Sequence, residues 1–171
     1  ISYKFQNKPG GIPEGIILAK DFIKKNKFIF ALGDNIFFGE EFSKILNNIK
    51  KFKKGCILFT SRVNDPKRFG ILYKDKENIL KKIIEKPIKP KSNLAVTGLY
   101  VYDHLAINYA KKLKKSKRKE KEITDLNNIY IKKKQAKEIE LGRSFTWLDA
   151  GTHESFLMAS NLISLHEKRT N

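Results

Sequence analysis

Two carboxylates in this chain stand at the ends of apolar runs. In "FALGDNIFFGEEF" (residues 30–42) the apolar stretch 28–32 stops at Gly33-Asp34-Asn35. In "WLDAGTHESF" (147–156) Trp147 and Leu148 lead to Asp149, then to small residues, then to a helical pattern. Each segment reads as apolar strand, Asp, small or polar turn, helix. Two carboxylates brought together in this way repel each other unless a cation sits between them. Mg2+ is commonly held by one or two carboxylates plus substrate phosphates. The alternative is that Asp34 and Asp149 each cap a turn, and spacing alone leaves both readings open.

Other candidates are weaker taken singly. "QNKPGGIPEG" (6–15) is a Gly/Pro-rich turn leading into a helix. Gly10 and Gly11 allow close approach of backbone to a ligand, and the amide of Gln6 both donates and accepts. The stretch is neither a Walker A loop nor a Rossmann fingerprint, and it also reads as an ordinary strand-to-helix loop. "IIEKPIKPKSN" (83–93) sets Glu85, an acceptor for hydroxyls, beside Lys86, a partner for phosphate; the same pair also reads as exposed charges at a strand end. Arg118 lies in a lysine-rich loop and reads equally as a solvated charge. His104, His153 and His166 have no metal-ligand spacing.

Elements that would position these residues follow from periodicity. Strand-like runs fall at 1–5, 28–32, 56–61, 70–73, 79–84, 95–102 and 139–141, rich in Ile, Phe, Val and Tyr and bounded by turn formers. Helical patterns fall at 15–24, 41–52, 103–113 (with Asp103 as N-cap), 123–131 and 155–166. This alternation predicts an α/β fold with a mostly parallel central sheet. Residues 68–87 read as two strands around a polar turn at 75–78, a small antiparallel excursion. Neither a repeat nor a long linker divides the chain, so residues 1–171 read as a single domain.

The bulk numbers agree. The chain has 171 residues, 40% of them hydrophobic, enough for one domain with a real core or a large part of a bigger one. No apolar run approaches the ~20 residues of a membrane span. Met158 is the only methionine, and the chain opens on Ile1-Ser2-Tyr3. The lone Cys56, in "GCILFTS", reads as a buried thiol in a reducing, cytoplasmic compartment. Net charge is +18, from 36 basic and 18 acidic residues. Such a balance raises nucleic acid as a partner. Against it, arginine is scarce, base readers use its bidentate fork, and the aromatic residues sit in apolar runs rather than between basic ones. The abundance of Lys, Ile and Asn together fits AT-rich coding.

Taken together, "LGDNIFFG", "EKPIKPKSNLAVTGLYVYD", "EITDLN" and "WLDAGTHESFLMASN" resemble the sugar nucleotidyltransferases, in order and from end to end. The second and fourth motifs favour the thymidylyl branch, which acts on glucose 1-phosphate. The resemblance implies a Rossmann-like three-layer α/β fold. It also implies a reaction in which glucose 1-phosphate attacks the α-phosphate of dTTP, giving dTDP-glucose, a dTDP-rhamnose precursor, and pyrophosphate. By the same resemblance Asp34 and Asp149 hold Mg2+, and Gln6 and Gly11 face the base. Gly70, Glu85, Lys86 and Val96 line the sugar-phosphate pocket, and Arg118 meets the sugar phosphate. A homotetramer with a further nucleotide site is also implied.

The chain departs from the family pattern in several places. The Gly-rich loop of the form G-x-G-T-R-L-x-P-x-T, which grips the triphosphate, does not occur in these residues. Its strand and helix would precede Ile1, and the family's last helices would continue past His166. The fold is therefore expected to be incomplete at both ends, and these residues alone are expected to be inactive. "GIPEGI" stands for the usual G-L-A-Q-A and puts an acid, Glu14, beside the expected nucleotide; Phe69 and Leu94 each replace a frequent Tyr. A non-catalytic remnant and a basic nucleic-acid-binding module are the alternative readings.

Overall fold

A computed structural model describes residues 1–39, 45, 47, 49–142 and 145–170. The strands are β1 (Phe28–Ala31), β2 (Asn35–Phe38), β3 (Cys56–Arg62), β4 (Gly70–Lys74), β5 (Leu80–Glu85), β6 (Leu94–Tyr102), β7 (Ala136–Glu140) and β8 (Thr146–Asp149). The helices are α1 (Ile12–Leu18), α2 (Lys20–Ile23), α3 (Leu105–Lys112), α4 (Ile123–Lys132) and α5 (His153–Thr170). Residues 45, 47, 49 and 50 are helical too; Glu41, Phe42 and Leu46, expected on that helix, lie outside the described residues. Among the described residues no helix is long and apolar enough to cross a membrane.

The main sheet runs β5-β4-β6-β3-β7, with β1 also paired to β6. The expectation of a mostly parallel sheet needs correction. Among the described strands only β3 and β7 form a parallel ladder; β1–β6, β3–β6, β4–β6 and β4–β5 are antiparallel. The cause is β6, which runs opposite to its neighbours on both sides. All nine of its residues are buried, and a strand buried on both faces reads the same in either direction. The expected antiparallel excursion is present as the β4–β5 hairpin. Asp75 Oδ1 accepts the Glu77 and Ile79 amides at 3.0 and 2.8 Å to close its turn.

Side chains alternate across the sheet and build a core on each face. Cys56 and Leu58 of β3, with Tyr100 and Tyr102 of β6, pack with Ile16, Ala106, Leu126 and Tyr130 of the helices. Their neighbours Ile57, Phe59, Leu99 and Val101 pack on the other face with Ile49, Phe52 and Phe145. Period-two alternation with both faces apolar is what a sheet between two layers requires. Asp103, buried at the end of β6, ties the layers together. Its oxygens accept the Gly55 amide (2.7 Å), the Leu105 amide at the start of α3 (3.0 Å) and the Tyr130 hydroxyl (2.7 Å).

Two local expectations also need correction. Residues 1–5 alternate Ile-Ser-Tyr-Lys-Phe as a strand would, yet they form no ladder, and Ile1, Tyr3 and Phe5 stand exposed. A strand needs a paired neighbour, and none of the described strands adjoins them. The last strand of the main sheet is 136–140 rather than 139–141. Its charged residues hid it: Glu138 meets Thr60 at 2.6 Å and Lys74 at 2.7 Å, and Glu140 meets Arg62 at 2.7 Å.

Candidate active site

A second, two-stranded sheet brings the two aspartates together. β2 and β8 are antiparallel, with Asn35 opposite Asp149 and Phe38 opposite Thr146. Asp34 sits just beyond the end of this ladder, where its carbonyl accepts the Ala150 amide at 2.7 Å. The Asn35 side chain fixes the geometry. Its Oδ1 accepts Trp147 Nε1 (2.6 Å) and the Gly98 amide (2.9 Å), and its Nδ2 donates to Asp34 Oδ1 (2.7 Å). Gly98 makes this possible: a Cβ there would stand 2.5 Å from Asn35 Cγ.

Oδ1 of Asp34 is taken by Asn35, and Oδ1 of Asp149 accepts the Gly151 amide at 3.1 Å. A Cβ placed on Gly151 would lie 3.0 Å from Asp149 Oδ1 and 3.4 Å from Asp34 Oδ2. Two carboxylate oxygens from distant segments thus face one small space that a methyl group would fill. Among the described residues no group of three or more His, Cys, Asp or Glu gathers as a metal site. Two carboxylates around an open cradle fit a hard divalent cation that completes its shell with water and phosphate oxygens.

Asp34 and Asp149 also line a cleft of about 150 Å³, together with Gly70, Glu85 and Val96. Register explains the grouping: Gly70 of β4 pairs with Glu85 of β5, and Ile71 with Ala95 of β6. Glu85 accepts the Thr124 hydroxyl at 2.6 Å, and a Cβ on Gly70 would come within 3.1 Å of Glu85 Oε2. Tyr100 lines the buried side. Burial, and then the charges of Glu85 and Asp34, push its phenol upward, so it stays a neutral hydroxyl.

Five expected site residues therefore meet here: Asp34, Asp149, Gly70, Glu85 and Val96. Four do not line the cleft. Gln6 is exposed in the irregular first segment. Gly11 begins α1 with φ +92°, pressed against the Lys121 backbone. Lys86, also at positive φ, is exposed while its amide bonds Phe69 O at 3.0 Å. Arg118 is clasped by Glu122, with contacts of 2.7 and 3.2 Å. Glu14, the acid that looked out of place, pairs with Lys121 Nζ at 3.1 Å.

The Arg118–Glu122 clasp has a pH signature. Burial pushes the Glu122 carboxyl up, but hydrogen bonds from Arg118 and Ser116 outweigh it and hold it below its ordinary 4.5. A depressed acid contributes stability that is full above the unfolded value and is lost as pH falls through the folded one. Urea midpoints measured from pH 6 to pH 3 should therefore fall more steeply for the unmodified chain than for Glu122→Gln. Parallel profiles would show that the clasp adds nothing.

Sequence reasoning missed Arg68, Asn35, Thr124 and Trp147 as cleft residues. Asn35 had a local signal, being an amide next to the Asp34 carboxylate. The contacts of Arg68 and Thr124 depend on strand pairing that the local pattern does not carry.

A mixed sheet covered on both faces, with two carboxylates lining a cleft beside it, places the chain among the α/β proteins. The chain matches the nucleotidyl transferase family over residues 1–165, and it belongs to that family. It is 41% identical over 163 residues to the glucose-1-phosphate thymidylyltransferase of Neisseria meningitidis serogroup A, covering 95% of this chain and 57% of that protein. It is also 41% identical over 169 residues to the enzyme of that name from Xanthomonas campestris pv. campestris, covering 99% of this chain and 57% of that one. A Bacillus anthracis structure, assigned as a glucose-1-phosphate thymidylyltransferase and solved with sucrose, superposes with a TM-score of 0.84. The identity is 38%, covering 94% of this chain and 64% of that one. The chain thus spans little more than half the length of these curated relatives.

Proposed function

We propose that this chain carries the metal and sugar-phosphate half of a glucose-1-phosphate thymidylyltransferase site. The observation that carries this reading is the convergence of Asp34 and Asp149 on one cradle, in a cleft they line together with Glu85, Gly70 and Val96. In the reaction an oxygen of glucose 1-phosphate attacks the α-phosphorus of dTTP. The bond from that phosphorus to the bridging oxygen breaks, and pyrophosphate leaves with the electron pair. The attacking oxygen is already anionic, so the protein's task is to align it and offset charge rather than remove a proton.

Mg2+ held by Asp34 and Asp149 supplies that charge neutralisation. Glu85, steadied by Thr124, takes sugar hydroxyls, and Gly70 and Val96 shape the pocket. Lys86 approaches the sugar phosphate, which draws Arg118 from Glu122. Gln6 and Gly11 serve the base. The +18 charge favours anionic substrates. Exposed Phe156, Leu157, Met158 and Leu165 on α5 support assembly with further copies as a homotetramer. The single buried thiol of Cys56 supports a cytoplasmic setting.

Calorimetry with glucose 1-phosphate and Mg2+ tests the site. Binding is expected, and Glu85→Gln should weaken it about tenfold, since a half-buried charged acceptor is lost. No binding by the unmodified chain would overturn the proposal. Because the triphosphate loop does not occur in these 171 residues, they alone should release no pyrophosphate from dTTP and glucose 1-phosphate. Clear turnover would refute that part.

A further inference from the structure

Arg68 ends the 3-10 turn Pro66–Arg68, and its Nη2 lies 3.6 Å from Asp149 Oδ2. Its guanidinium carbon stands 5.5 Å from the centre of the Phe69 ring, which packs 5.1 Å from Trp147. Among the described residues lining the cleft, Arg68 is the sole cation beside the carboxylates of Asp34, Glu85 and Asp149. The two oxygens of Asp149 are divided: Oδ1 accepts the Gly151 amide at 3.1 Å, on the side of Asp34 Oδ2, and Oδ2 faces Arg68. The Arg68 side chain is 48% exposed, so the pair is weak and solvent-screened. A contact of that strength holds a carboxylate and still gives way to a stronger charge.

We propose that Arg68 is a resident counter-ion for Asp149 that competes with the divalent cation until a phosphate group draws it away. The inference rests on the reading of Asp34 and Asp149 as metal ligands. With metal bound, a guanidinium beside Asp149 repels the ion. With Arg68 drawn to an arriving phosphate, Asp149 is freed and the repulsion falls. Metal and phosphate ligand therefore reinforce each other's binding through Arg68, and the coupling is reciprocal. Arg68 acts as a positioning residue, through Asp149.

Mn2+ titrated alone into the chain tests this. Free Mn2+ is read by electron paramagnetic resonance, and the protein by fluorescence of Trp147, the only tryptophan. Arg68→Gln should bind Mn2+ about fivefold more tightly than the unmodified chain, the upper range for an exposed pair. Arg68→Lys, which keeps the charge, should stay within about twofold of the unmodified chain. The gap should shrink in 1 M salt. Added glucose 1-phosphate should tighten Mn2+ binding in the unmodified chain and do so less in Arg68→Gln. If Arg68→Gln binds no more tightly while Asp149→Asn abolishes binding, the inference fails and the metal site stands. If Asp149→Asn leaves Mn2+ binding unchanged, the metal site itself fails, and this inference with it.

Discussion

Gly151→Ala should lose at least about tenfold in Mn2+ affinity, because the added methyl occupies the cradle between Asp149 Oδ1 and Asp34 Oδ2. The position is exposed, with no positive φ. Only the Asp149 side chain has to give way, so the stability change should stay at about 1 kcal/mol or less. Asp149→Asn keeps the shape and removes one of the two charges. It should cost about 100-fold or more in affinity, given roughly 4 kcal/mol between unit charges at 4 Å near a protein surface. Isothermal titration with Mn2+, paired with urea melts, separates the outcomes. Unchanged affinity in both variants would remove the metal site. A large loss of stability in Gly151→Ala would mean that the glycine serves the backbone and not the cradle.

Gly11→Ala should be the most destabilising change at the α1 end of the molecule. Gly11 has φ +92° and ψ 164°, a region open to glycine and costly for other residues. A Cβ would also stand 2.1 Å from the Lys121 carbonyl oxygen, backbone that cannot step aside. Strain and overlap together should cost about 3 kcal/mol. Gly10→Ala is the control. Its Cβ would meet Glu14 Cγ at 2.5 Å, but that is a side chain able to swing away, so about 1 kcal/mol or less is expected. Urea midpoints of the two variants read the difference, and equal losses would remove this account. The lesion should spread to the 116–122 loop, since Lys121 N donates to Gly10 O at 2.9 Å and Lys121 Nζ pairs with Glu14. The Arg118–Glu122 clasp lies within that loop.

A strand that ends on a carboxylate is a local pattern, and β8 does end on Asp149; Asp34 instead lies in the turn between β1 and β2. The elements around them were legible where apolar spacing was regular, as in β3, α3 and α4. β2 was not, because Asn-Ile-Phe-Phe directly after Gly-Asp looks like the exit of a turn. Its identity as a strand comes from β8, far along the chain. The bonds of Asn35 to Trp147 and Gly98 likewise depend on long-range pairing. Strand direction was also hidden, since β6 is buried throughout and carries no polar face to orient it. β7 was blurred by glutamates whose partners, Thr60, Lys74 and Arg62, lie on other strands. Residues 1–5 carry the opposite lesson: their alternation is clear, and no neighbour among the described strands uses it.

The β2–β8 ladder sets a timetable. Asn35 and Trp147, which meet across it, are 112 residues apart in the chain. At roughly 5–20 residues per second, about 5–20 s of synthesis separate their emergence from the ribosome. β1 likewise cannot pair until β6, ending at Tyr102, has been made. Contacts of such long range raise relative contact order and slow folding. Asp34 must therefore remain a solvated carboxylate until β8 has been made, and the two aspartates meet only once Asp149 has emerged.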